Sequence, residues 1–314
     1  MITKLNLDGL VNNGVNSLLG AGSLFTTGKV FYVSSVIGSN GNVGEEPTAP
    51  LASIAQAIAS VRANKGDKIV VLPNHSEAVT ATSINLSVAG VTIINLGNGK
   101  ADKPTYTFGL ATSTITVSAA DVTWVGGYGT AGVLDVASAF TVGAGKDFNL
   151  IGAEFEDTSS ILNFLSIVTT GATDNAADGL TAIDNSWYGL NTTPLAFISV
   201  LGDIARLNAS NNFVDSASTA NVASFITFAA KDSVKTRIEN NTLIVTGATG
   251  ATVGIFLTGS GTAHTGIVSG NKVASLDTTT ELIATAGTGL AFFENYYTGT
   301  ADKSGKLWPV VDAA

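Results

Sequence analysis

Apolar residues at Leu51, Ile54, Ala55, Ile58 and Val61 fall on one stripe of an α-helix, and the spacing predicts a helix over 51–63. Asn64, Lys65, Gly66 and Asp67 then supply a stop, with Gly66 free to take the left-handed backbone. Ile69 to Leu72 follows as a short buried strand that Pro73 ends. Beyond this point the helical period does not return. A short apolar strand recurs instead, broken near Asn95, Gly126, Ala153, Asn185, Asn211, Asn241, Asn271 and Asn295, about every 29 residues. A second apolar run lies between these markers, at 140–142, 167–168, 197–200, 225–228, 254–257 and 282–284.

Two or three strands per repeat with no helix between them leave few architectures. A propeller blade calls for a longer period, and a leucine-rich repeat for a Leu-x-x-Leu-x-Leu frame that is absent. The pattern predicts an all-β chain wound as a single-stranded parallel β-helix, a solenoid whose coils stack at about 4.8 Å. Asn accepts the left-handed backbone at a tight corner and can ladder with Asn in the next coil, so the markers read as turn devices. An open end of such a rod is a bare sheet edge that needs cover. The 51–63 helix is expected to cap the first coil, and 303–311 or a neighbouring subunit to close the far end. The chain so divides into an extended N-terminal arm (1–29), a capping segment (30–66), the β-helix (67–298) and a closing tail (299–314).

Composition narrows the chemistry. Apolar residues make up 45% and charged residues 12%, with 35 Gly and 6 Pro, which suits many short strands and tight turns. The net charge is −9 and no run of Lys or Arg occurs, so nucleic acid is not expected as a partner. Without Cys there are no disulfides, thiolate metal sites or Cys nucleophiles, and only His75 and His264 offer imidazoles, so neither metal nor cofactor is expected. The opening 28 residues lack the unbroken apolar run of a secretory signal or a membrane span, and no run of 18 apolar residues occurs elsewhere. A soluble chain with no membrane partner is expected. The arm carries Ile2, Leu5, Leu7, Leu10, Val11, Leu18, Leu19, Leu24 and Phe25, an apolar set suited to attaching the rod to a partner.

The stretches Pro50 to Ile58 (PLASIAQAI), Lys65 to Pro73 (KGDKIVVLP), Asn74 to Glu77 (NHSE) and Val88 to Ile94 (VAGVTII) resemble the opening segment of pectin-lyase-like right-handed β-helix proteins, especially those of tailed bacteriophages. Related phage sequences usually have Gly where this chain has Asn74, a change that a left-handed corner tolerates. The resemblance is specific over 30–96 and architectural from there to about 298. It implies a right-handed coil and a virion protein made in the host cytoplasm. The expected function is a homotrimeric capsid decoration or cement protein on the virion surface, held by its arm to the major capsid protein or another virion protein, and not an enzyme. The alternative is a tailspike-like receptor-binding protein that binds or degrades host surface polysaccharide.

Were the chain a hydrolase, it would need two carboxyl groups on one face. Asp135, Glu154, Glu156 and Asp157 lie in adjoining coils, and Glu154 and Glu156 share strand parity, about 7 Å apart. The same four residues also read as turn and edge charges. Tyr128 and Tyr188 could line a carbohydrate site, whereas Trp124 and Trp187 sit at strand positions that read as core. An eliminase would want a basic side chain beside clustered carboxylates, and the mid-coil cations are Lys146, Arg206, Lys231, Lys235 and Arg237. Arg206 and Arg237 read as surface partners of Asp203 or Glu239. His75 beside Glu77 reads as a backbone-bonding pair near the cap, and the Gly22 to Lys29 stretch departs from phosphate-loop spacing.

Overall fold

Strands of two to seven residues follow one another around three faces, and in the computed structural model each pairs with strands of the adjacent coils. The structure describes residues 28–298 apart from 144, 191–195, 217–223, 230, 246–256, 260–262, 276–282 and 286–288, together with 305 and 306. The first sheet runs from Val30–Val33 and Lys68–Val71 to Gly289–Phe293, the second from Ser76–Val79 to Tyr296–Thr298, and the third from Asn85–Leu86 to Ile283–Thr285. Among the described residues every strand pairing is parallel except Tyr296–Thr298 with Gly305–Lys306. This is the expected parallel β-helix. That antiparallel pair covers the last strand of the second sheet, within the segment expected to close the far end.

Alternate residues of each strand point inward, and parallel register stacks them into columns. In the first sheet Ile93, Trp124 and Leu150 are in register, and in the third Ile115, Phe140, Val168, Ile198 and Ile226 are. All of these are buried. Trp124 meets Phe140 edge to face with ring centres 5.3 Å apart, so aromatic rings from the first and third sheets pack against each other in the interior.

The corner between the first and second sheets is built from two adjacent positions. Gly126, Gly152, Asp184, Asn211, Asn240, Gly270 and Glu294 take positive φ, which turns the chain. From Asp184 onward the next residue is always Asn: Asn185, Asn212, Asn241, Asn271 and Asn295, all buried. The side-chain amides of the first four donate to the Oδ1 of the Asn in the next coil at 2.8–3.0 Å, and that of Asn295, the last, donates to Val268 O. The expected markers therefore mixed two roles. Asn211 turns the chain and Asn212 carries the ladder, a one-residue correction.

The N-terminal end is closed by α1 (Ile54–Ser60), shorter than the predicted 51–63. Ser53 caps it by accepting from the Gln56 N–H, and Val61 is already extended. Leu51 is drawn away from the helix because its N–H donates to Tyr32 O and its carbonyl accepts from Ser34 N. Buried Ile54, Ala57 and Ile58 cover the first coil, packing toward Val30–Val33, Lys68–Val71 and Asn85–Leu86. Inside this cap Glu77 accepts from the Ile54 N–H (3.1 Å), and His75 accepts from the Ser35 N–H through Nδ1 (2.9 Å). Nδ1 is thus the unprotonated nitrogen, and Nε2–H faces Glu77 at 3.0 Å.

Asp67 ties the segment before the first strand to the turn after α1. Its buried carboxylate accepts from the Lys29 N–H, the Arg62 N–H and the Arg62 guanidinium. The Arg62 hydrogen bonds, together with those two backbone donors, outweigh burial and hold its pKa well below the ordinary 3.8, at about 2. A pKa lowered on folding stabilises the native state above the unfolded value and ceases to do so as pH falls through the folded one. The expected contribution is about 2 kcal/mol at neutral pH, lost between about pH 4 and pH 2. Urea melts across that range should show Asp67→Asn losing less stability on acidification than the wild type. Parallel curves would show that Asp67 is not the group responsible.

Candidate functional site

The corner geometry fixes which side chains leave the rod. After each left-handed residue and its ladder position, the second-sheet strand begins, and the residues two and four beyond the left-handed one face outward. The residue three beyond faces the core, as Phe155, Trp187 and Val214 do. Two outer columns result in adjacent coils. One runs Tyr128, Glu154, Ser186, Phe213, and the other runs Thr130, Glu156, Tyr188, Asp215.

A loop folds over one end of this face. Residues 97–104 join Thr92–Asn95 to Thr105–Phe108, and Asp102 shapes the turn by accepting from the Gly99 N–H (2.7 Å) and the Asn98 N–H (3.3 Å). Those backbone donors lower the Asp102 pKa. The loop presents two ammonium groups. Lys103 Nζ donates to Glu154 Oε2 at 2.7 Å, and Lys100 Nζ donates to Glu156 Oε2 while lying 5.0 Å from the centre of the Tyr128 ring. Tyr128 Oη donates to the same Glu156 oxygen.

Electrostatics divide the carboxyl groups. The Lys100 and Tyr128 hydrogen bonds lower the Glu156 pKa, so this group is a carboxylate. Burial, aided by the Glu156 hydrogen bond, pushes the Tyr128 phenol up to about 12. Asp215 is different. No described residue donates to its carboxyl, and burial raises its pKa. Between the two, in register with both, stands Tyr188, which is 42% exposed, with its ring 5.8 Å from that of Phe213.

No family model and no curated protein matches the sequence. Among solved structures the chain is similar to the crystal structure of pectate lyase Pel9A, at 13% identity and a TM-score of 0.47, covering 95% of this chain and 84% of that one.

Of the four carboxyl candidates, the fold brings only Glu154 and Glu156 together on this face. Asp135 sits on the corner between the second and third sheets with positive φ, its N–H donating to Asn163 Oδ1. Asp157 is 1% exposed and turns its oxygens to the Phe164 and Leu190 N–H groups and the Trp187 indole. Neither points at a substrate on the outer face: one shapes a turn, and the other satisfies buried donors. Trp124 and Trp187 are core, as expected; Tyr188 is exposed on the outer face, whereas Tyr128, although in an outward column, is buried beneath Lys100.

Lys100, Lys103, Phe213 and Asp215 were not among the candidates, although the alternation that exposes Glu154 and Glu156 exposes Phe213 and Asp215 as well. Arg237 pairs with Glu239 as expected, but Arg206 pairs with Asp147 in place of Asp203. The arm residues Ile2 to Phe25 lie outside the described residues. Among the described residues no group of three or more His, Asp or Glu could hold a metal ion, and no helix is long and apolar enough to cross a membrane.

Proposed function

We propose that the chain binds polysaccharide along the outer face of the second sheet. The observation that carries this is the exposed Tyr188 ring set between Glu156 and Asp215, one coil to either side, with Phe213 beside it. An aromatic face packs against the C–H face of a sugar ring, and flanking carboxyl groups accept from its hydroxyls. The parallel coils repeat such positions in line, which suits an extended polymer better than a compact ligand. The two lysines on this face are each ion-paired to a glutamate, and the whole chain carries −9. Like charge then disfavours a polyanion, so the polymer is a neutral polysaccharide.

This reading agrees with the tailspike-like alternative rather than with capsid decoration. Decoration rests on the arm, and nothing among the described residues bears on it, on a trimer or on a capsid partner.

Affinity electrophoresis against dextran, galactomannan and polygalacturonate tests the proposal. At least one neutral polymer should retard the protein, and Tyr188→Ala should weaken that binding about tenfold, roughly 1.4 kcal/mol, with melting unchanged. An unaltered affinity in the variant, or preference for polygalacturonate, overturns it.

A further inference from the structure

We infer that the outer face of the first sheet is a docking surface for the chain's own N-terminal segment, residues 1–27, which covers the opening coils in cis. This cover lies on a different sheet from the proposed polysaccharide face and does not depend on it.

A column of outward side chains is buried where a bare sheet would leave it wet. In the first sheet Ile69, Ile93, Trp124 and Leu150 point into the core, so Val70, Ile94, Val125 and Ile151 point out, in register with one another and with Ile183. Yet Val70 is 2% exposed, Ile94 1% and Val125 5%, whereas Ile151 and Ile183 are half-buried. Further along, the column continues as Ser210, Glu239 and Ser269 and ends at Phe293, which is 55% exposed. The cover is therefore confined to the opening coils. Local sequence agrees: Lys68–Val71 reads Ile-Val-Val and Thr92–Asn95 reads Ile-Ile, unbroken apolar runs of the kind found in parallel strands buried on both faces. Lys68 shares the outer face with Val70, and burial lowers its pKa.

The long connections of these coils lead elsewhere. Tyr32 N–H donates to Gly44 O, and Leu51 bonds to Tyr32 and Ser34, which sets 44–51 beside Val30–Val33 at the edge of the sheet. The 97–104 loop carries Lys100 and Lys103 to the second sheet. Segment 1–27 has the right position, length and composition. At Gly28 the chain lies so close to the turn before Lys68 that a Cβ there would come within 2.4 Å of the Asp67 nitrogen, and the Lys29 N–H donates to Asp67 Oδ1. The preceding residues thus arrive at the start of the covered strands. From Val70 to Ile183 is four strand spacings, about 19 Å, a span that about six extended residues reach. Leu18, Leu19, Leu24 and Phe25 stand close before Gly28 and supply apolar surface to set against the column. The apolar set expected to attach the rod to a partner is thereby turned toward the chain's own first sheet, and the second sheet is left as the open face.

The test uses the full chain, whose lack of Cys lets single cysteines report without background. Val70→Cys should react with a maleimide at least about 100-fold more slowly than Thr107→Cys, which stands exposed on the second sheet. Equal rates would show a bare face and overturn the inference. In a second measurement p-benzoylphenylalanine replaces Lys68, and irradiation should cross-link it within one chain, with peptide mapping placing the link in 1–27. Any map without a link to 1–27 overturns the inference as well, and links in 299–314 or between two chains would name the tail or a second copy as the cover.

Discussion

Replacing Asn241 with alanine is expected to destabilise the rod by about 3–5 kcal/mol, more than any single change on its surface. The Asn241 Oδ1 accepts from the Asn212 backbone N–H (2.9 Å) and the Asn212 amide (2.9 Å). Its own amide donates to Ala209 O (2.8 Å) and Asn271 Oδ1 (3.0 Å). Alanine removes the acceptor of the buried Asn212 N–H and of one Asn212 amide hydrogen, and one donor to Ala209 O, each lost bond worth about 1–3 kcal/mol unless water enters the corner. The ladder also makes a graded control. At its N-terminal end the Asn185 Oδ1 accepts from the Ala153 N–H alone, so Asn185→Ala strands one fewer donor and should cost less. Urea unfolding of both variants, with hydrogen exchange of the Asn212 amide, measures the difference. Equal and small losses, below about 1 kcal/mol, would mean that the corner is already hydrated and that the ladder sets register without adding stability.

The same corner explains how much of the molecule was legible. An Asn that recurs about every 29 residues can be read directly as a corner, because few residues both accept positive φ and hydrogen-bond to a copy of themselves one coil away. What the pattern did not separate was the turning residue from the ladder residue, since Asn fills both places at Asn211–Asn212 and Asn240–Asn241. That one-residue distinction decides which side chains face out. With the turn placed at Asn211, Phe213 and Asp215 occupy the outward positions that Glu154 and Glu156 occupy after Gly152, so the missed half of the site follows from the same rule. Lys100 and Lys103 are another matter. They lie 56 and 51 residues from the glutamates that they reach, and nothing local in 97–104 states how far the loop extends over later coils. The cap was legible because a helical stripe amid strands has one use at the end of a solenoid, but its length was not, because Leu51 bonds to Tyr32 and Ser34.

Asp157→Ala should lower stability by about 4 kcal/mol, a loss that an exposed carboxylate would not produce. By sequence alone Asp157 stands beside Glu156 as a candidate acid, yet the strand ends at Glu156 and the chain turns Asp157 inward, where it is 1% exposed. Its Oδ1 accepts from the Phe164 N–H (2.9 Å) and the Trp187 indole N–H (3.4 Å), and its Oδ2 from the Leu190 N–H (2.8 Å). It thereby pins the 158–163 loop and the end of the Ser186–Gly189 strand to one point. Alanine removes the acceptor for all three donors. Asparagine keeps the volume but sets an NH₂ group against at least one of them, so Asp157→Asn should still lose about 2–3 kcal/mol. Thermal melting, with the Trp187 emission followed for a red shift, measures both variants. An Asp157→Asn protein that melts like the wild type would show that the Phe164, Trp187 and Leu190 donors find other acceptors and that Asp157 does not hold this corner.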